Sequence, residues 1–336
     1  MKPLAIALLS GGLDSLLAVR VLQLQSVAIE AIHVQTPFVS SEESAARVAD
    51  ELGVPLTFRR VGEDYVEVLR NPRYGFGKAV NPCLDCHLYM TIMARDMMIE
   101  RGACCVVSGE ILGQRPMSQK RNDLDLLSSR SGLVGRLLRP LSAKLLEPTI
   151  PETERLIDRA RLCDYAGRGR RPLIDLAETL GVRYVPAPSP GCALTEKTFA
   201  PKLRDLFHFN AKATLWDCEL VRVGRHFRID PIHKIVLGRS ADDNAKLAEL
   251  AARDEAVAAT LLEPESFLGP NAILCGPVSE DMLQLAGVLM AAYTRQIDPE
   301  CREVLVLVSR RNASELKRID VSNMAAARQT HVPLAR

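Results

Sequence analysis

Two groups of residues could do chemistry by their type and spacing. The first is Ser10-Gly11-Gly12-Leu13-Asp14-Ser15, between the apolar run Leu4 to Leu9 and a stretch where Leu13, Leu17, Val21 and Leu24 recur at helical spacing. Glycines there permit positive φ and close backbone approach, and a helix start offers free N–H groups to an anion. The turn therefore reads as a phosphate cradle, with Asp14 or Ser15 suited to the helix cap. It is neither the loop ending in Gly-Lys-Ser/Thr nor GxGxxG. The second group is thiols. Cys83 and Cys86 form a CxxC pair in NPCLDCH, and Cys192 in APSPGCALT is flanked by Pro and Gly, which puts it on an exposed loop.

These groups need elements to position them. Leu4 to Leu9 has the size of a buried strand and the segment after the turn that of a helix. VAIEAIHVQT and PLTFRRV read as further strands and SSEESAARVADELG as a capped helix ended by Gly53. The CxxC pair stands just before a helix, TIMARDMMIERG, followed by strands CCVVSGE and LLRPLS. Strands alternating with helices predict an α/β fold with a doubly wound parallel sheet, whose strand ends bring SGGLDS, HVQT, SGEILGQ and RPLS to one rim. Lys2 with Leu4 to Leu9 fails as a secretory signal, because the apolar run is short and no small-residue cleavage site follows. From about Thr198 the character changes. ELVRVGRHFRIDPIHKIVLGR predicts two strands around an Asp-Pro turn and ADDNAKLAELAARDEAVAATLL a helix, so domains of 1–204 and 205–336 are expected, the second a smaller α+β unit.

The 336 residues, 47% hydrophobic, suffice for two cores. No apolar stretch reaches membrane-spanning length, and a net charge of +2 does not argue for nucleic acid by itself. Nine cysteines without an export signal point to a reducing cytoplasm, where clustered thiols serve as metal ligands or catalysts. CxxCH is also a c-type haem attachment site, but that chemistry belongs outside the cytoplasm. Zinc would want a second close pair, whereas Cys104 and Cys105 sit in an apolar strand as core residues. A cubane iron–sulfur cluster is normally held by four thiolates, so three would leave one iron open.

SGGLDS resembles the loop of the PP-loop ATP pyrophosphatases, which split ATP into AMP and pyrophosphate to adenylate a substrate. The resemblance implies that Ser10, Gly11, Gly12, Asp14 and Ser15 hold the phosphates with Mg²⁺ near Asp14, and that Val34, Gly109 and Glu110 complete the ATP site. NPCLDCH is similar to the cysteine motif of the tRNA thiouridine synthases within that family. In one branch two cysteines pass a persulfide; in another, CxxC and a distant third cysteine hold a [4Fe-4S] cluster that carries the sulfur. The second pattern implies Cys83, Cys86 and Cys192 as cluster ligands, the first Cys86 and Cys192 as persulfide carrier and resolving partner. SGEILGQRPMSQ and RPLSAK resemble segments of 4-thiouridine synthases, which implies a uridine site of Gln114, Ser118, Gln119, Arg139 and Lys144. Arg115-Pro116-Met117 lengthens the gap before Ser118 by one residue, and Lys120 stands where Thr is usual.

The implied reaction joins the uridine oxygen to the ATP α-phosphate and then lets sulfur displace AMP, the sulfur coming from sulfide or a persulfide carrier protein. Relatives carry an N-terminal THUMP module or a C-terminal sulfurtransferase domain, and neither is expected here. For tRNA, Arg168, Arg170 and Arg171 in RLIDRARLCDYAGRGRRP are candidates, although that stretch also reads as a solvated helix face. Val223 to Asn244 resembles the NFACT-R module, which implies RNA contacts from Arg225, Arg228, Lys234 and Arg239. Two alternatives stand beside thiolation: a PP-loop enzyme adenylating a small molecule for sulfur insertion or amide formation, and a non-catalytic RNA- or ribosome-associated binding protein. The oligomeric state is left open, a homodimer included.

Overall fold

The computed structural model describes residues 2–187, 191–294, 297–298, 300–310 and 313–334. The chain forms two compact units, Met1–Thr195 and Glu196–Arg336. The expected boundary at 204/205 falls inside a helix of the second unit, Ala200–Phe209.

The first unit runs β1 (Leu4–Leu8), α1 (Leu13–Gln23), β2 (Ala28–Gln35), α2 (Glu42–Leu52), β3 (Leu56–Arg60), α3 (Tyr65–Arg70), α4 (Cys83–Arg101), β4 (Cys105–Val107), α5 (Arg121–Arg130), β5 (Leu137–Leu138), α6 (Ile150–Thr153) and α7 (Arg171–Thr179). All its strand pairs are parallel, in the order β3-β2-β1-β4-β5. Alternation in β1 explains why a continuous apolar run suits it. Ala5 and Ala7 join a core with Leu16, Leu17, Leu173 and Ala177 on one face, while Ile6 joins Ala94, Met97 and Leu127 on the other. The first crossover carries the chain from β1 to β2 and β3, and β4 lies on the opposite side of β1. That reversal opens a crevice beyond the carboxyl ends of β1 and β4.

The second unit runs α8 (Ala200–Phe209), α9 (Leu215–Val221), β6 (Arg225–Arg228), β7 (Lys234–Leu237), α10 (Ala241–Ala251), β8 (Ala259–Pro264), β9 (Ala272–Cys275), α11 (Glu280–Ala292), β10 (Glu303–Arg310), β11 (Ala313–Asp320) and α12 (Met324–Thr330). Its antiparallel sheet has the order β11-β10-β8-β9-β7-β6. Ile235 and Leu237 face a core with Leu283, Leu289 and Val306, and Val236 faces Trp216, Leu247 and Leu250. The hairpin around Asp230-Pro231 is as expected, whereas the helix expected from Ala241 stops at Ala251 and Ala259 to Leu262 belong to β8. The stretch from Arg155 to Arg171 holds only a short 3-10 turn, Arg159–Arg161, before α7, and not a helix face. Among the described residues no helix is long and apolar enough to cross a membrane.

Two glycines fix the crevice. Gly11 has φ +80°, and a Cβ there would lie 2.7 Å from the Ala45 backbone nitrogen at the start of α2. A Cβ on Gly109 would lie 2.5 Å from the Ser15 nitrogen, so the loop after β4 rests directly on the first turn of α1. Gly12, by contrast, has nothing nearer than 3.5 Å. Gly109→Ala should therefore destabilise the fold by about 1–3 kcal/mol through overpacking, and Gly12→Ala by less than about 1 kcal/mol. Urea denaturation of both variants checks this; equal midpoints would mean that the two loops do not bear on each other.

Candidate active site

The turn after β1 is built as a cradle. Gly12, not Asp14 or Ser15, is the N-cap of α1, and no side chain caps the helix, so its first N–H groups are left to face an anion. The serines shape the turn from within: Ser15 Oγ donates to the Gly12 carbonyl at 2.9 Å and lies 3.3 Å from Ser10 Oγ, while Ser44 Oγ donates to the Gly11 carbonyl at 2.7 Å. Buried His33 steadies the strand end, its Nδ1 2.7 Å from the Leu9 carbonyl, which requires the proton on Nδ1. Asp14 is half-buried in the first turn. Burial raises its carboxyl above the ordinary range, opposed by a hydrogen bond from Gln114 and by the charges of Arg115 and Arg170. Arg170, read from sequence as an RNA contact, thus lies near the phosphate turn, and Arg115 joins it.

Glu110 ties this turn to the thiols. Its buried carboxylate accepts from Arg139 Nε at 2.9 Å and Ser108 Oγ at 3.0 Å, both on Oε2, and from His87 Nδ1 at 3.1 Å on Oε1. Burial opposes its ionisation, but Arg139 and His87 more than offset that and hold the carboxyl down to about 2. Arg139 is spent inside the protein, since its other nitrogens donate to Ser128 Oγ and the Leu124 carbonyl. It was read as a uridine contact and is instead the counter-charge of Glu110. His87 follows Cys86 in α4, so this carboxylate fixes the helix that carries the CxxC pair.

Both cysteines of that pair lie in the first turn of α4, which begins about two turns earlier than the helix expected from Thr91. Asp85, buried between them, accepts from the backbone N–H groups of Arg73 and Tyr74. Asn81 Nδ2 donates to Cys83 Sγ at 3.0 Å, and Tyr65 Oη lies 3.0 Å from Cys86 Sγ. The third thiol arrives by backbone pairing. The Val80 N–H donates to the Leu194 carbonyl at 3.2 Å and the Ala193 N–H to the Phe38 carbonyl at 3.1 Å, which brings Cys192 against the start of α4. Pro188 to Pro190, ahead of it, lie outside the described residues. Cys86 is pushed up to about 12, chiefly by burial; Tyr65 works against this, and Cys192 and then Cys83 add to it. The three thiols are therefore electrostatic neighbours. Among the described residues no three His, Cys, Asp or Glu side chains stand close enough to share one metal ion. A cubane cluster takes one thiolate per iron, so its ligands do not converge on a single centre.

Other expected residues are placed as follows. Val34 is half-buried near the end of β2, Ser118 and Gln119 are buried, and Lys144 is exposed with its charge near Cys163. The buried Gln114 Oε1 and Gln119 Oε1 have no hydrogen-bond partner among the described residues. Of the second core pair, Cys105 is fully buried and Cys104 half-buried. Arg168 is exposed, and exposed Arg171 pairs with Asp175 at 2.9 Å. In the second unit three of the four sequence-predicted phosphate contacts are paired with carboxylates, and Arg228 and Lys234 are turned inward. Arg228 grips Asp205 with two bonds of 3.0 and 2.8 Å, Lys234 meets the same carboxylate at 3.1 Å, and Arg239 pairs with Asp243 at 2.7 Å. Only Arg225 among the four lacks a carboxylate among the described residues; its guanidinium lies over Tyr293, 5.4 Å from the ring centre. His87, Arg115 and the position of Arg170 escaped the sequence reading, although the His of CxxCH was itself visible.

Residues 2–146 match the family model described as Thiamine biosynthesis protein (ThiI), and residues 224–331 match the NFACT protein RNA binding domain. Among solved structures, a predicted subunit of tRNA methyltransferase from Methanocaldococcus jannaschii is similar at 16% identity, covering 52% of this chain and 74% of that one, with a TM-score of 0.35. A 4-thiouridine synthetase in complex with RNA and bound ATP is similar at 20% identity and a TM-score of 0.34; the match covers 54% of this chain and 52% of that one, about half its length. The C-terminal part of the fibronectin/fibrinogen-binding protein from Streptococcus suis is similar at 11% identity, covering 48% of this chain and 72% of that one, with a TM-score of 0.26.

Glu110→Gln leaves the Arg139 guanidinium buried without its counter-charge, and should cost about 3–5 kcal/mol. Because the folded carboxyl sits at about 2 against an ordinary 4.5, the wild-type advantage is fully present above about pH 4.5 and is lost as pH falls toward 2. Urea melts of both proteins at neutral and acidic pH check this, and a gap between them that does not narrow in acid would refute it.

Proposed function

We propose, for a chain whose residues 2–146 belong to the ThiI family and whose residues 224–331 form an NFACT-type RNA-binding domain, that it is an ATP-dependent tRNA uridine thiolase. The observation that carries this reading is the juxtaposition of an uncapped helix start with three neighbouring thiols through Gly109, Glu110 and His87. A phosphate cradle alone would serve many adenylating enzymes. Thiols joined to it through Gly109, Glu110 and His87 would give it a way to deliver sulfur.

A pyrimidine carbonyl oxygen is a poor leaving group, so it is first joined to the α-phosphate of ATP with loss of pyrophosphate. The first N–H groups of α1 and the open face of Gly12 would hold the departing pyrophosphate, and Arg115 and Arg170 would neutralise its charge. Asp14, the carboxylate of that turn, would hold a Mg²⁺, which would supply further neutralisation of phosphate charge. Gln114 orients Asp14 through its amide nitrogen and leaves its oxygen, like that of Gln119, to accept from the nucleotide or the uridine. Sulfide then attacks the activated carbon, the C–O bond breaks, and AMP leaves carrying the former carbonyl oxygen.

The donor set at the start of α4 fits a [4Fe-4S] cluster: Cys83, Cys86 and Cys192 would hold it, and a cluster with three protein thiolates supplies an open iron for sulfur. Asn81, Tyr65 and Asp85 fix the directions of the first two thiols by the bonds already described. A persulfide route would use Cys86 and Cys192 instead.

The decisive experiment is incubation of anaerobically purified protein with unmodified tRNA, ATP and sulfide, followed by nucleoside analysis and iron determination. Thiouridine should form only with ATP. Asp14→Ala should lose about 10²–10³-fold in ATP–pyrophosphate exchange and in thiolation, whereas Cys86→Ala and Cys192→Ala should keep exchange and lose thiolation and iron. Absence of thiouridine from the wild-type reaction would overturn the reading, and iron retained in both cysteine variants would remove the cluster.

A further inference from the structure

The second unit holds a group of cations that its carboxylates answer only in part. Asp205 takes Arg228 and Lys234, and Asp243 takes Arg239. Three more cations stand close by. Lys202 Nζ donates to the Gly224 carbonyl at 2.9 Å, Arg225 lies over the Tyr293 ring at 5.4 Å, and Arg328 lies over the same ring at 5.1 Å. Among the described residues neither Arg225 nor Arg328 has an acidic partner. Each donates one long bond of 3.4 Å, to the Gly238 and Ala292 carbonyls respectively, and keeps the remaining N–H groups of its fork. The field there is positive enough that Lys202 is held to about 8, by burial and then by Arg239, Lys234 and Arg225.

Two guanidiniums thus share one aromatic ring with no carboxylate beside either among the described residues, which leaves their charge to be met by an external anion. Tyr293 is itself fixed, closing α11 as its C-cap and meeting Phe227 edge-on at 5.4 Å, so the ring is a rigid platform for both guanidiniums. The three residues come from β6, the end of α11 and α12, and only the fold assembles them. Guanidinium forks match the paired oxygens of a phosphate, and cation–π contact fixes the plane in which they are offered. We infer that Arg225 and Arg328, seated on Tyr293, hold a phosphodiester of the RNA backbone, a contact that reads charge rather than base. This rests on the reading that the second unit engages RNA. It relocates the phosphate contact from the hairpin cations, which are internally paired, to a site that includes α12.

The test is the affinity of the full chain for tRNA across a salt series, in wild type, Arg225→Gln, Arg328→Gln, the double variant and the two Lys variants, with Arg318→Gln as an exposed, paired control. Each Gln variant should weaken binding about threefold to tenfold and reduce the slope of log affinity against log salt by about 0.7–0.9, the double variant by roughly twice that, and Lys should restore the slope. Thermal melts by circular dichroism confirm that the variants fold. If the double variant folds and keeps the wild-type slope, the site is refuted while RNA engagement stands. If wild type binds a generic single-stranded RNA but not tRNA, and the double variant loses that binding, the site holds and the tRNA reading fails. Wild type that binds neither overturns both.

Discussion

One buried carboxylate positions most of this candidate site. Glu110 receives donors from three directions: Ser108 at the end of β4, Arg139 beyond β5 and His87 in α4. Arg139 extends the network to α5 through Ser128 and the Leu124 carbonyl. A buried ion pair contributes little net stability compared with well-packed apolar side chains, because desolvation consumes much of the Coulombic gain. What it supplies is location. An apolar residue at position 110 could fill the same space but could not specify the orientation of an imidazole, a guanidinium and a hydroxyl at once. Gly109, next to it, closes on the first turn of α1, so the same two residues set the phosphate turn and the thiol-bearing helix relative to each other.

The second unit uses the same device to a different end. Asp205 lies on α8, ahead of the residues that match the RNA-binding family, and neutralises two cations of the β6–β7 hairpin. Arg228 also stacks on Phe209 at 4.5 Å, so its guanidinium is satisfied by charge and by packing. The density of Lys and Arg in a stretch is thus a poor guide to where a polyanion binds. What matters is which charges remain after the internal carboxylates have been subtracted, and that depends on residues distant in sequence.

The sequence was most informative where a feature is local. The strand, turn and helix around Gly11 could be read because apolar periodicity and glycine chemistry act within a few residues, and Gly53 ends α2 in the left-handed conformation its position suggested. The α4 start was misplaced because Pro82 caps it without a side-chain bond, and Asp85 is engaged with backbone from residues 73 and 74. The helix from Ala241 was overextended because no glycine or proline marks its end, and the apolar residues of β8 continue its composition. Cys192 could be attached to the CxxC pair only by resemblance, since the backbone bonds that bring it there span more than a hundred residues. Arg170 and Arg139 exchanged their expected surroundings for the same reason: each is defined by a carboxylate elsewhere in the chain.

The thiol site shows how burial and chemistry are reconciled. A buried Cys86 at about 12 is a neutral thiol at physiological pH, weak as a nucleophile and slow to oxidise. The neighbouring Cys192 and Cys83 sulfurs make its ionisation harder still. Positive charge beside a buried thiol acts the other way, because it favours the thiolate that burial and like charge disfavour. Tyr65, Asn81 and Asp85 keep the first turn of α4 in place but bring no positive charge of their own to the thiols.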